Sequence, residues 1–591
     1  MKPDTALAIF TFSPVQSFIR EARRAEDLFN ASAILSNLAQ AAAQAIGEQN
    51  LIYPASLSQG DMPNKLVARL PLVQAEETLQ KAENALIGEW RKIAADARQK
   101  SGLETDEVWM SIWQRQVIQS PPWQVFWVYQ PETGDYTSDY KEAGRRLDAL
   151  KHSRLFAQCE EEGEKDSLSG QRSALRDAKS KTSKEYWKEV SKKFTAAQVK
   201  PEGKERLDSI GLIKRFADLK KDRPFPSTST VAGWDFYRQA KENASDQLEA
   251  YLVELDKLQL YRARGFDSDF PYDFDLFFKE TLTAKRMEDS YGIKVTEKDL
   301  AAAKSRLDDL VKKVGFAPSP YYAILLLDGD GIGKKLDAME GKTASGEAFH
   351  RQFSQRLNEF AKETSNKIKE TEGGFLVYNG GDDVLLLASL QTAIWLAQEL
   401  AQAYREAFAG LVEASLSGAV LIAHHLSPLA RVLADLRAAE KHAKAVQKDD
   451  WGNKDTLCVG LSKRGGEPLL ARSGWEQTAD FEAVWVRPFR EGQLANSLPY
   501  LLRDDLRVAN ILEQEAVTAL VRYRFQRQAG EGLKTEEAKD LADKWMKWVE
   551  ALEEKLSESS KSQPESARQQ AFEEAVNWLV IARFLGQGGK E

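Results

Sequence analysis

The residues best suited to chemistry are acidic and fall in two short segments. Asp328 closes the apolar run 321–327 and opens Asp328-Gly329-Asp330-Gly331-Ile332-Gly333-Lys334. Asp382 follows 54 residues later, within Asn379-Gly380-Gly381-Asp382-Asp383. Asn-Gly between two apolar runs, here 375–378 and 384–387, is a tight-turn signal. Alone, such a turn reads equally well as a hairpin with a solvated acidic tip. Asp328 changes the reading, because a carboxylate at a strand end and two in a hairpin turn can converge at one sheet edge. Three converging carboxylates repel unless divalent cations neutralise them, and hard Mg²⁺ or Mn²⁺ favours such oxygens. Two ions about 4 Å apart suit in-line attack at phosphorus. Gly380 and Gly381 would let a nucleotide approach the backbone, and Gly329, Gly331 and Gly333 leave amides free to face phosphates. Lys334 and Lys444 are candidates for neutralising a triphosphate, although either lysine alone reads as solvated surface charge.

The elements that must position these residues follow from periodicity. Strand 321–327, a helix near 347–370, the hairpin, helix 392–408 and strand 415–423 give the order β-α-β-β-α-β. A further helix (428–446) and strand (456–461) complete the unit. This is the order of a ferredoxin-like sheet with helices on one face, and the strand after the first helix, 375–378, is expected beside the opening strand. Residues 1–135 repeat the layout: strands 5–12, 65–72 and 123–129, with helices 16–45 and 75–102. This first copy has no Asp at the end of its opening strand, so only the second could hold metal. Residues 136–235 form a Lys/Glu/Ser-rich insertion whose basic blocks, 179–193 and 213–223, read first as solvated helices and second as a surface for RNA or a partner. Residues 236–314 read as a helical linker domain, 315–465 as the acidic sheet domain, and 466–591 as an all-α domain carrying Trp545, Trp548 and Trp578. The fold class is therefore α+β.

At 591 residues the chain is long enough for about four folding units. Lys and Arg number 82 against 90 Asp and Glu, a net charge of −8, so RNA binding would need local basic patches or partner subunits. Cys159 and Cys458 are the two cysteines, which excludes a disulfide framework and a four-cysteine zinc site. No basic segment leads into an apolar one at the start, and no apolar run approaches the roughly 20 residues of a membrane span. A cytoplasmic protein without a membrane partner is expected.

The pair LDGDGIGK (327–334) and YNGGDD (378–383) resembles the palm domain of the large subunit of type III CRISPR effector complexes in the Cmr form, itself distantly similar to diguanylate cyclases and polymerase palms. SPVQSFIREARRAEDLFNASAILS (13–36) is similar to the opening of that family's degenerate first palm. FPSTSTVA (225–232), SLSGAVLIAHHLSPL (415–429), AEKHAK (439–444) and VGLSKRGGE (459–467) match as well. The resemblance implies that Asp328, Asp382, Asp383 and the Gly329 carbonyl hold two Mg²⁺ or Mn²⁺ ions, and that Lys444 contacts triphosphate. It implies an antiviral nucleotidyltransferase that turns ATP into cyclic oligoadenylate, or joins ATP to S-adenosylmethionine, with pyrophosphate leaving. Other Cmr-type subunits, guide CRISPR RNA and target RNA are the implied partners. A catalytically silent scaffold organising guide RNA and subunits is the rival; the intact aspartate trio argues against it.

Two departures from the family bear on function. Many members begin with an HD nuclease domain, but none of His152, His350, His424, His425 and His442 precedes an Asp, so DNA cleavage is not expected. Where relatives carry two CxxC pairs, this chain has Asp166 and Ser169, then Asp208 and Gly211, which offer zinc no soft ligands. His424-His425 reads as a satisfied strand-end pair before a metal site. Ser32 and Ser36 read as helix-packing serines before cleft-lining ones.

Overall fold

The computed structural model describes residues 4–589 apart from 58–60, 154–160, 196–197, 220–224, 261–268, 340, 343, 447–451, 510–511 and 558–563. Two sheets organise it. The first is built from β1 (Thr5–Ser13), α1 (Ala25–Ile46), β2 (Leu51–Tyr53), β3 (Lys65–Pro71), α2 (Ala75–Ser101) and β4 (Gln124–Pro131), in the order β2-β3-β1-β4. The second contains β5 (Tyr321–Gly329), α3 (Ile332–Ala338), α4 (Gly346–Glu370), β6 (Gly374–Asn379), β7 (Val384–Ala388), α5 (Leu390–Phe408), β8 (Leu416–His424), α6 (Leu429–Ala443), β9 (Thr456–Ser462) and β10 (Leu469–Gly474). Its order is β10-β9-β8-β5-β7-β6. The first four strands of each domain thus occupy the same relative places, and both domains are ferredoxin-like. The β8–β9 pair is parallel, as the α6 crossover requires.

The opening strands are apolar throughout because both of their faces are covered. Ala323, Leu325 and Leu327 enter one core, and Tyr322 and Ile324 enter another. A strand buried on both sides shows no polar alternation. α4 and α5 cover one face of the second sheet, while α6 and helices of the first domain share the core on the other. Helices on one face only was the expectation; α6 falsifies it, since its Leu429, Val432, Leu433 and Leu436 pack with Tyr322 and Ile324.

Strand adjacency also differs from expectation. The neighbour of β5 within the hairpin is β7, with Leu327 opposite Val384, and β6 lies at the sheet edge. In a β-α-β-β-α-β unit the second hairpin strand inserts between the two strands joined by the first helix. β10 pairs with β9, so the sheet runs past residue 465. The expected helix 16–45 divides into Gln16–Arg20 and α1, whose start is fixed by Asp27 accepting the Arg24 amide at 3.3 Å. β2 and α3 were not expected, being too short to show a period.

The remaining segments frame the sheets. In the insertion, Asp166 accepts the amides of Leu168 and Ser169 and the Ser169 hydroxyl. Asp208 caps the helix Ser209–Phe216 by accepting the Gly211 amide and pairs with Arg172. Asp166, Ser169, Asp208 and Gly211 therefore close their turns by hydrogen bonds. Helices Thr228–Asn243, Ser245–Lys257 and Ala301–Val314 surround a separate core. The C-terminal helices bury Trp545, Trp548 and Trp578, and Trp578 donates to the Arg472 carbonyl on β10 at 3.0 Å. No helix among the described residues is long and apolar enough to cross a membrane.

The two ferredoxin-like domains pack reciprocally: α1 of the first lies on β6 of the second, and α4 of the second lies on β2 of the first. This is the pattern of a two-fold pair of copies.

Candidate active site

The register places the acidic residues. Because Leu327 faces Val384, the next residue on β5, Asp328, lies beside the residue preceding β7, Asp383. Carboxylate oxygens of Asp328, Asp382 and Asp383 all fall within 4.8 Å of one another. The turn is closed by the Gly380 amide donating to the Asp383 carbonyl at 3.0 Å. Gly381 has φ +107°, a conformation that side chains rarely adopt, and a Cβ at Gly380 would collide with the Tyr378 hydroxyl. Both glycines are thus required by the turn itself.

The cluster's electrostatics are those of a site missing positive charge. Burial pushes Asp382 up to about 7, helped by the charge of Asp328. Asp383 is raised as well, first by burial and then by its hydrogen bond to Asp328. Burial acts on Asp328 in the same direction, but the bond from Asp383 and the charge of Lys444 outweigh it and hold Asp328 below the usual carboxylate range. Lys444, at the end of α6, pairs with Asp328 and, at 2.8 Å, with Glu440. Lys444 is thus shared between Asp328 and Glu440, and the three clustered carboxylates carry more negative charge than it can offset. Hard divalent cations fit this donor set.

The other expected residues divide. Gly329 ends β5 with its Cα against Tyr404, whose hydroxyl a Cβ there would meet at 2.5 Å. Gly331 opens α3 in the left-handed conformation, φ +63°, next to Gly452. Gly333 and Lys334 are exposed on the first turn of α3, whereas Lys444 is joined directly to the aspartates. Cys458 is buried, and Cys159 lies outside the described residues.

Sequence reasoning missed Asp330. It is 1% exposed and points away from the trio into a polar knot. It accepts the hydroxyls of Ser415 and Ser417 at 2.7 and 2.6 Å, the amides of Lys454 and Asp455 at 3.1 and 3.0 Å, and the Lys454 ammonium at 3.2 Å. The buried Lys335 donates to the Asp330 carbonyl and to Asn453. Asp330 therefore pins the loop before β9 to the end of β5. The Asp-Gly-Asp spacing was the only signal for it.

The first domain carries the register but not the chemistry. Thr11 faces Lys65 as Leu327 faces Val384, so Phe12 and Asn64 stand where the second domain has Asp328 and Asp383. The Asn64 amide donates to the Phe12 carbonyl at 3.1 Å, closing the corner that the aspartates leave open. On α1, Ser36 accepts the Met62 amide at 2.9 Å, and the Ser32 hydroxyl is buried without a partner.

The histidine pair at the end of β8 gathers with Glu280 within 4.8 Å. His424 commits Nδ1 to the Leu426 amide and His425 commits Nδ1 to Ser229, while His425 Nε2 is buried with no partner. With its Nδ1 lone pair occupied, His424 carries its proton on Nε2, so this trio is a hydrogen-bonding cluster rather than a ready ligand set.

Comparison with known proteins agrees with this geometry. The family described as Cas10/Cmr2, second palm domain, matches residues 321–454, and the one described as CRISPR-associated protein Cmr2, N-terminal, matches residues 7–95. The Cmr2 subunit of the CRISPR system Cmr complex of Pyrococcus furiosus is 29% identical, over 36% of this chain and 27% of its own; the match thus spans about a quarter of that relative's length. A chain in the cryo-EM structure of type III-B Cmr-beta bound to cognate target RNA shares the fold, with TM-score 0.61 and 14% identity over 90% of this chain and 79% of that one. The apo state of the same assembly gives TM-score 0.59 and 14% identity, over 90% and 78%. The two matched regions fall one in each ferredoxin-like domain, and together the matches support a subunit of Cmr2/Cas10 type.

Proposed function

We propose that this chain is the nucleotidyltransferase subunit of a Cmr-type CRISPR complex, converting ATP to a signalling nucleotide when target RNA binds. The observation that carries the reading is the convergence of Asp328, Asp382 and Asp383 within 4.8 Å. These residues, with the Gly329 carbonyl, would hold two Mg²⁺ or Mn²⁺ ions, which supply Lewis-acid activation of the attacking hydroxyl and charge stabilisation of the leaving pyrophosphate. On this reading Lys444 would take a triphosphate oxygen, with Lys334 and the amides of Gly331 and Gly333 as further contacts, and Gly380 and Gly381 would let the nucleotide approach the backbone closely. A ribose hydroxyl attacks the α-phosphorus and loses its proton to solvent, the new O–P bond forms, and the bond to pyrophosphate breaks.

Cyclic oligoadenylate is the product this reading favours, and an ATP–S-adenosylmethionine conjugate is the variant to test beside it. Other Cmr-type subunits, guide RNA and target RNA are its partners, in the cytoplasm. The test incubates the assembled complex with labelled ATP, Mn²⁺ and cognate target RNA, with and without S-adenosylmethionine, and resolves the products. Target-dependent pyrophosphate release supports the reading. Its absence in both arms leaves the scaffold role.

A further inference from the structure

The hairpin turn bearing Asp382 and Asp383 is held from outside its own domain. The Asn379 amide, which opens the turn, donates to Asp61 at 3.0 Å, and both residues are buried, at 1% and 5% exposure. Asp61 sits in the connection between β2 and β3. By strand order this is the first domain's counterpart of the aspartate-bearing turn. The next residue, Met62, gives its amide to Ser36 on α1. Asn379 in turn donates its side-chain amide to the Ala361 carbonyl on α4 at 2.8 Å. One run of bonds thus joins α1 to the acidic turn through Ser36, Met62, Asp61 and Asn379. The buried Asp61 carboxylate thus reaches the opening residue of the acidic turn from the other domain, and removing it would leave the buried Asn379 amide without this acceptor.

We propose that Asp61 is a positioning residue for the metal site: the inert domain fixes, through this carboxylate, the backbone from which Asp382 and Asp383 project. The proposal rests on the reading of those aspartates as metal ligands. The Asp61 oxygen sets where Asn379 lies, Gly380 and Gly381 transmit that position, and the ligand oxygens follow. A shift of α1 relative to the second domain would move the ligands without touching them.

The test measures Mn²⁺ binding to the full chain by titration calorimetry, and pyrophosphate release by the assembled complex, for the native chain, Asp61→Ala, Asp61→Asn and Asp382→Ala. Loss of an outer partner of a ligand typically weakens metal binding by about 10–100-fold. Asp61→Ala is expected to fall in that range, with activity recovered at raised Mn²⁺. Asp61→Asn, which retains an oxygen acceptor, is expected to recover most of the affinity. Native Mn²⁺ affinity in Asp61→Ala, or equal loss in Asp61→Asn, overturns the proposal. Native Mn²⁺ affinity in Asp382→Ala overturns instead the reading of the site on which it rests. A melting temperature matching the native chain in Asp61→Asn guards against general unfolding as the cause.

Discussion

Lys444 is ion-paired to Asp328 across the gap between the end of α6 and the end of β5. Among the described residues, the lysine paired with the carboxylate trio is therefore bonded to the residue a metal ion would need. A bound ion would compete with the lysine for the same oxygens, and on the proposed reading a triphosphate would draw the lysine away.

Replacing Lys444 with Met is expected to separate these roles. Mn²⁺ should bind the full chain more tightly, because its competitor is gone, while the KM for ATP should rise by about tenfold, the worth of one charge-assisted bond. Calorimetry and steady-state pyrophosphate release check the two halves. Weaker Mn²⁺ binding would contradict the arrangement.

The double substitution Asp382→Ala/Asp383→Ala should reduce pyrophosphate release by at least about a thousandfold, the scale of losing electrostatic stabilisation of a transition state. Assembly should persist, since the turn contributes little apolar surface. Co-purification with the other subunits and a native melting temperature are the controls.

In the metal-free chain, the raised Asp382 has a distinct pH signature. Burial lifts it to about 7 in the folded state from 3.8, so between those values the folded protein keeps a proton that the unfolded chain releases. Stability from this group is complete below about pH 4 and is lost as pH rises through 7. The stability difference between native and Asp382→Asn chains should therefore decline over that window, and saturating Mn²⁺ should abolish the decline. Thermal melts from pH 5 to 8 measure it.

His350 on α4 has the opposite sign. Burial, then the charges of Lys65 and Arg351, lower it to about 3, and its Nδ1 bonds the Tyr136 hydroxyl at 2.9 Å. The unfolded chain takes up a proton below about pH 6.5 while the folded one resists until about 3, so stability falls on acidification through that range. His350→Phe is expected to flatten the acid limb of the melting curve between pH 6.5 and 4.5.

Asp330→Ala strips the knot that holds the loop before β9. It leaves Ser415, Ser417, two amides and the Lys454 ammonium without their acceptor, so a loss of about 3–5 kcal/mol is expected. Urea unfolding checks the magnitude. Asp330→Asn should lose less, because one oxygen remains to accept.

Much of the second sheet domain was legible because its signals were strong and local. A strand buried on both faces reads as an unbroken apolar run, and Asn379-Gly380 marks the turn. Which strand of that hairpin docks on β5 is decided by pairing over long distances, and there the sequence misled: β7, not β6, is the neighbour. Asp330 carried no assigned role in the sequence, and it bonds Ser415 and Ser417 through a contact formed only when β5 and β8 pair. Asp61 gave no signal at all. It lies 318 residues from Asn379, and no local pattern records a bond across that span.

The reciprocal seating of α1 on β6 and α4 on β2 binds the history of the two halves together. Shortening either hairpin would open a gap against the other half's helix. The half without the acids is thus under the same length restriction as the half that bears them. Drift in its surface is free, but drift in its dimensions is not.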